Sequence, residues 1–148
     1  MNNDAPILLA EDDENDIYLL QLAFKKAAIS RPLIIARDGQ EAIDYLAGQA
    51  ANTNSGSNPV PALLLLDLKM PRVDGFEVLA WLAEHPNLQT LPIVVLSSSA
   101  FESDIKKAQQ LGAHDYRVKP PQFENLLQIV QELKSRWLPD TTSQAQVK

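Results

Sequence analysis

Five short runs rich in Ile, Leu and Val recur along this chain, and each leads into a stretch whose apolar residues return every three or four positions. The runs are Ile7 to Ala10, Leu33 to Ala36, Ala62 to Leu66, Ile93 to Leu96 and Tyr116 to Val118. Several are continuously apolar rather than alternating, which is how strands covered on both faces read. The segments that follow them carry helical stripes. Ile17, Leu20, Phe24 and Ala27 form the first; Ala42, Ile43 and Leu46 the second; Phe76, Leu79, Leu82 and Ala83 the third. Ile105, Ala108 and Leu111 mark the fourth, and Phe123, Leu126, Leu127, Val130 and Leu133 the fifth, from about Gln122 to Trp137. Asp13 stands where the first helix needs an N-cap, and Gly112 where the fourth needs a C′ residue. Strand and helix alternating five times predict a doubly wound α/β domain: a (βα)5 parallel sheet with helices on both faces and right-handed crossovers. In the commonest five-stranded order, 2-1-3-4-5, the second strand lies at an edge.

Two stretches stand outside this pattern. Gln49 to Pro61, dominated by Asn, Ser, Gly and Pro, reads as a long flexible loop, and Pro139 to Lys148 as a disordered tail, leaving 1–138 as the folded domain. A chain of 148 residues fits one domain of the usual size, roughly 100 to 200 residues, with little room for a separate output module. Thirteen Lys and Arg against nineteen Asp and Glu leave a net charge of −6, which disfavours binding to nucleic acid or an anionic membrane. With no Cys there is no disulfide, thiolate zinc site or Cys nucleophile, so a metal would have to be bound by oxygen ligands or the two histidines. The acidic N-terminus lacks a basic signal-peptide region and no apolar run approaches the ~18 residues of a membrane span, so a cytoplasmic location is expected.

The crevice of an open parallel sheet lies at the carboxyl ends of its strands, so the residues that end each strand matter most. The first ends in Glu11-Asp12-Asp13, the third in Asp67, the fourth in Ser97, and the fifth in Lys119-Pro120. Carboxylates gathered on one rim repel unless something positive sits among them. A hard divalent cation fits, and Mg2+ is typically bound through one or two carboxylates together with phosphate oxygens. Asp67 closes a wholly apolar run and precedes the Met70-Pro71 turn, which makes it the natural single acceptor for an aspartyl-phosphate. Lys119 suits neutralisation of phosphoryl oxygens, and Ser97 can donate a hydroxyl hydrogen bond.

These motifs, in order, are Leu8-Leu9-Ala10-Glu11-Asp12-Asp13, Leu66-Asp67-Leu68-Lys69-Met70-Pro71 with Asp74-Gly75, Val95-Leu96-Ser97-Ser98, Gly112-Ala113, and Tyr116-Arg117-Val118-Lys119-Pro120. Together they resemble the receiver domain of two-component response regulators, from about Ile7 to Trp137, with Ser97 and Lys119 at the expected spacings from Asp67. The resemblance implies Asp67 as phospho-acceptor. Glu11 and Asp12 would be the acidic pair, with Asp12 a direct Mg2+ (or Mn2+) ligand and Lys69 a ligand through its backbone carbonyl. Ser97 and Lys119 would bind the phosphoryl group, Tyr116 would be the aromatic switch, and the Lys119–Pro120 bond would be cis. The chain would accept phosphoryl from a sensor histidine kinase, catalyse its own phosphorylation and dephosphorylation, and switch its surface toward a downstream protein target. Its long loop and extended last helix resemble the small stand-alone regulators that pair with bacterial, especially cyanobacterial, phytochromes. Pro121 departs from the pattern, standing where an aromatic is common.

Each assignment has a plainer counterpart. Asp67 could cap the turn before the third helix, and Tyr116 could be an ordinary edge aromatic. A small aspartyl-phosphate phosphohydrolase is the rival reading, but the second residue after its nucleophile should be an acid, and here it is Lys69. A flavodoxin-like cofactor binder would need a Ser/Thr-rich phosphate loop after the first strand, where this chain has acids. His85 and His114 read as surface residues, and no nucleotide-binding glycine fingerprint is present. Leu19, Leu22, Trp81, Ile129, Trp137 and Leu138 fall off the core stripes and mark candidate partner surfaces. A homodimer through the fourth strand, fifth helix and C-terminal end is expected.

Overall fold

A computed structural model describes residues 5–51 and 59–139, with the side chains of 49–51 outside that description. Its elements alternate as the sequence predicts. They are β1 (Ile7–Ala10), α1 (Glu14–Lys26), β2 (Leu33–Ala36), α2 (Gly39–Ala51), β3 (Leu63–Leu66), α3 (Gly75–Ala83), β4 (Ile93–Ser97), α4 (Glu102–Gln110), β5 (Asp115–Val118) and α5 (Phe123–Trp137). A single 3-10 turn, Pro86–Leu88, precedes β4. All strand pairs are parallel and the order is β2-β1-β3-β4-β5.

The three central strands are buried throughout, which explains why ILLA, LLLL and IVVLS contain so little polar relief. Their side chains alternate between two cores. Leu8, Ala10, Leu64, Leu66 and Val95 pack with α2 and α3, while Ile7, Leu9, Leu63, Leu65 and Val94 pack with α1 and α5. Local signals set the helix ends. Asp13 caps α1 by accepting from the Asp16 amide, and Asp74 and Glu77 form a reciprocal capping box on α3. Gly112 follows α4 at φ 111°, and the Ala113 and Gly112 amides close onto the Ala108 and Gln109 carbonyls as in a Schellman turn.

Several sequence expectations change. Helix α2 runs to Ala51, so the start of the segment read as a loop from Gln49 is helical; residues 52–58 lie outside the described residues. The loop returns at Pro59, whose carbonyl accepts the Tyr45 hydroxyl. Of the expected tail only Pro139 is described. No described peptide bond is cis, so Lys119–Pro120 is trans, the isomer most X-Pro bonds adopt. Ile129 and Leu138, expected off the core stripe as candidate partner residues, are buried in the protomer, and β4 lies inside the sheet between β3 and β5. The apolar face of α5 is wider than a narrow stripe because both α1 and the sheet cover it. Leu19 packs against the same core, and Trp81 stacks on His85 with ring centroids 3.8 Å apart. Among the described residues no helix is long and apolar enough to cross a membrane.

Gly75 shows how closely α3 sits against the strand that carries Asp67. A Cβ there would lie 2.4 Å from the Asp67 carbonyl oxygen and 2.7 Å from Leu68 Cα, with backbone that cannot yield like a side chain. Gly75→Ala should therefore cost about 1–3 kcal/mol in urea unfolding, the usual penalty for overpacking. A substitution that leaves the midpoint unchanged would refute this close approach.

Candidate functional site

Parallel register places the chemistry. Ala10 pairs with Leu66, so the next residues along β1 and β3, Glu11 and Asp67, leave the sheet side by side, and the Asp67 amide donates to the Ala10 carbonyl at 3.0 Å. Ser97 pairs with Val118, so Lys119 emerges beside Ser97, its amide donating to the Ser97 carbonyl at 2.8 Å. Three strands thus bring Glu11, Asp67 and Lys119 to one rim.

Among the described residues Glu11, Asp12 and Asp67 each offer a carboxylate oxygen within 4.8 Å of the others. Glu11 is 1% exposed, Asp67 is 6% exposed and Asp12 faces solvent, giving two buried acids and one at the mouth. Lys119 enters from the side. Its Nζ lies 2.8 Å from Glu11 Oε1, 2.8 Å from Asp16 Oδ2 and 3.3 Å from Asp67 Oδ2. The Asp67 carboxylate is loosely held: among the described residues it accepts, besides the 3.3 Å contact, only a long bond, 3.4 Å, from the Lys69 amide. A cleft of about 570 Å3 lies between Asp12, Lys69, Met70 and Asp104, at the solvent side of the rim.

Electrostatics follow from this crowding. Burial raises the Glu11 pKa to about 7; the Lys119 hydrogen bond opposes the rise and the Asp67 charge adds to it. For Lys119 burial disfavours the charge, but hydrogen bonds to Asp16 and Glu11 and the neighbouring carboxylates overrule it and push its pKa up. Three oxygen-bearing acids with a single ammonium among them form the donor set a hard divalent cation takes. The residues present therefore fit Mg2+ or Mn2+.

The β3–α3 loop carrying Lys69 is tied to the β2–α2 turn. Arg72, in the left-handed region at φ 65°, reaches Asp38 Oδ2 through Nε at 2.9 Å and Nη2 at 2.7 Å. The Glu41 amide and the Arg72 guanidinium hold Asp38 below the usual carboxylate range against its desolvation. Gly39 fits beneath this loop because a Cβ there would sit 2.1 Å from the Val73 carbonyl oxygen.

On the other side, Ser97 is fully buried and its Oγ accepts from the Ser99 amide at 3.2 Å. Tyr116 is half-buried, and its hydroxyl donates to the Ser99 carbonyl at 2.8 Å. Ser99 thereby joins the two residues expected to act as a switch, and its own hydroxyl donates to Asp104 on the first turn of α4 at 2.6 Å. Of the described α4 residues only Ala108 is buried, so the helix rests lightly on the core. Sequence reasoning missed Asp16 and Ser99. Their signals were faint: an acid three residues past an N-cap, and the third Ser of a run ending β4. His85 is half-buried on Trp81, and exposed His114 accepts from the Ile93 amide, so neither approaches the site.

Comparison with known proteins decides the family. Residues 7–131 match the response regulator receiver domain. The chain belongs to that family. It is 40% identical over 136 residues to response regulator Rcp1 of Synechocystis sp. (strain ATCC 27184 / PCC 6803 / Kazusa), covering 92% of this chain and 90% of that protein. The Mn2+-bound crystal structure of Rcp1 superposes with a TM-score of 0.79 at 37% identity, covering 90% of this chain and 94% of the other. The phosphorylated cyanobacterial phytochrome response regulator RcpA gives 0.78 at 38% identity with the same coverage. This receiver is thus a response regulator homologous to phytochrome response regulators, and membership implies divalent-metal binding and a histidine kinase partner. The phosphohydrolase reading finds no support among these relatives.

The Glu11 shift has a testable sign. Between pH 4.5 and about 7 the metal-free folded chain retains a proton that the unfolded chain has released, so this group's contribution to stability falls as pH rises through that window. Divalent-metal binding needs the carboxylate free, so Mg2+ affinity should climb with pH up to about 7 and level off above it. Titration calorimetry in buffers of different ionisation enthalpy should detect proton release below pH 7 that disappears in Glu11→Gln. Equal release by that variant would overturn the assignment.

Proposed function

We propose that this receiver accepts a phosphoryl group on Asp67 from a phosphorylated histidine of a sensor kinase, and that the kinase is a phytochrome. The observation that carries the reading is the state of the Asp67 carboxylate, which is almost wholly buried yet, among the described residues, held only by the Lys119 ammonium at 3.3 Å and the Lys69 amide at 3.4 Å. A structural cap would be bonded more closely. Support for the phytochrome pairing comes from the likeness to Rcp1 and RcpA.

In the transfer an Asp67 oxygen attacks phosphorus, the P–N bond to the donor imidazole breaks, and the imidazole leaves with that electron pair and takes up a proton. Glu11, Asp12 and Asp67 would hold Mg2+ together with the Lys69 carbonyl. When bound, the ion supplies positive charge to the phosphoryl oxygens. Lys119 neutralises the same oxygens from the side. Ser97 turns its hydroxyl from the Ser99 amide toward the new group, and Tyr116, bonded to the Ser99 carbonyl, follows the loop inward. Because α4 is lightly anchored, its surface changes at small cost, and a protein target reads the change. The chain itself provides the groups for phosphorylation and for hydrolysis of the acyl phosphate. Residues 1–138 form one cytoplasmic receiver that signals by protein contact, without binding nucleic acid or membrane. Two copies pair through the α5 and C-terminal side, where Trp137 is half-buried.

Incubation with Mg2+ and acetyl phosphate, followed by intact mass, tests the acceptor. Wild type should gain one hydroxylamine-labile phosphoryl group and Asp67→Asn none. Labelling of the variant, or no labelling of wild type under conditions that label another receiver, would overturn the proposal.

A further inference from the structure

An ammonium has three protons, and each of those on Lys119 has a carboxylate within reach: Glu11, Asp16 and Asp67. Glu11 and Asp67 belong to the acidic trio that fits a metal; Asp16 lies outside it. Asp16 sits on the first turn of α1, where its amide donates to the Asp13 cap, so its backbone is fixed independently of the rim. Its bond to Nζ is 2.8 Å against 3.3 Å from Nζ to Asp67. The ammonium is therefore drawn toward α1 and away from the acceptor.

Resting on the reading of Asp67 as acceptor, we propose that Asp16 is a positioning residue that competes with the phosphoryl group for Lys119. A phosphoryl group brings roughly −1.5 to −2 of charge and three acceptor oxygens. While Glu11 and Asp16 are both bonded, Lys119 has one proton left for those oxygens, the one on its long 3.3 Å contact to Asp67. Glu11 can be compensated by the metal, so Asp16 is the partner whose bond opposes the move of Nζ toward the phosphoryl oxygens. The tether keeps Lys119 from closing fully on unphosphorylated Asp67, and it lowers the hold on the modified state. Asp16 is a third exposed, so solvent weakens the pair, and its effect falls in the range of partly exposed ion pairs, about two- to fivefold in an equilibrium constant.

The test uses the full chain and beryllofluoride as the phosphoryl probe at saturating Mg2+, with binding followed by 19F NMR in wild type, Asp16→Ala, Asp16→Glu and Asp67→Asn. Mg2+ affinity is measured separately. Asp16→Ala should bind beryllofluoride about two- to fivefold more tightly while binding Mg2+ equally or more weakly, since it has lost a nearby negative charge. General loosening of the rim would weaken both. Asp16→Glu, which restores the carboxylate, should return toward wild type. Beryllofluoride binding by wild type that is unchanged or weakened in Asp16→Ala overturns the competition alone. Failure of wild type to bind, or equal binding by Asp67→Asn, overturns the acceptor reading and the competition with it.

Discussion

One ammonium among three carboxylates organises the working end of this protein. Lys119 touches Glu11 just after β1, Asp16 on α1 and Asp67 just after β3, and no short piece of chain could assemble that group. The parallel sheet does it by register: the residues following Ala10, Leu66 and Val118 are carried to the same edge because those strands run in the same direction. The hydrophobic cores on either side of the sheet hold the strands fixed, which keeps the charges in place despite their repulsion. Negative charge remains in excess even with Lys119 present. That imbalance gives a cation, and then a phosphoryl group with it, something to bind.

Such a rim is poorly designed for stability and well designed for exchange. Buried acids that share one cation cost desolvation that a close-packed apolar rim would not. Stability comes instead from strands with almost no exposed surface, from two capped helices and from the Arg72–Asp38 tie that holds the β3–α3 loop against the β2–α2 turn. The opposite side of the site is left looser. Ser99 connects Ser97, Tyr116 and Asp104 by single hydrogen bonds, and α4 buries little of itself. Rigid acids beside a lightly held loop are what a modification-driven change of surface requires.

Much of this was legible in the sequence because strands specify their own ends. An apolar run that stops at Asp67 or Lys119 says where that residue leaves the sheet, and strand order then says which ends are neighbours. Contacts made across helix surfaces were not legible. Asp16 reaches Lys119 only because α1 docks with a particular rotation, and nothing in the spacing of its apolar residues fixes that rotation finely enough. Ser99 was hidden for a related reason, since its role depends on how the chain turns after β4. Ile129 and Leu138 read as surface residues when α5 was assigned one narrow stripe; burial against α1 as well as the sheet makes the covered face broader. The Asn-, Ser-, Gly- and Pro-rich stretch read as a loop from Gln49 begins in helix, which continues to Ala51.

The central claim is that Asp67 sits in this rim to do chemistry and contributes little to stability. Unfolding free energies of wild type and Asp67→Asn, each measured in metal-free buffer and again with saturating Mg2+, test it most directly. Removing one negative charge from an excess should leave the metal-free variant at least as stable as wild type, while the stabilisation wild type gains from Mg2+ should largely vanish in the variant. A variant less stable by the same amount in both buffers would make Asp67 a structural cap and contradict the account.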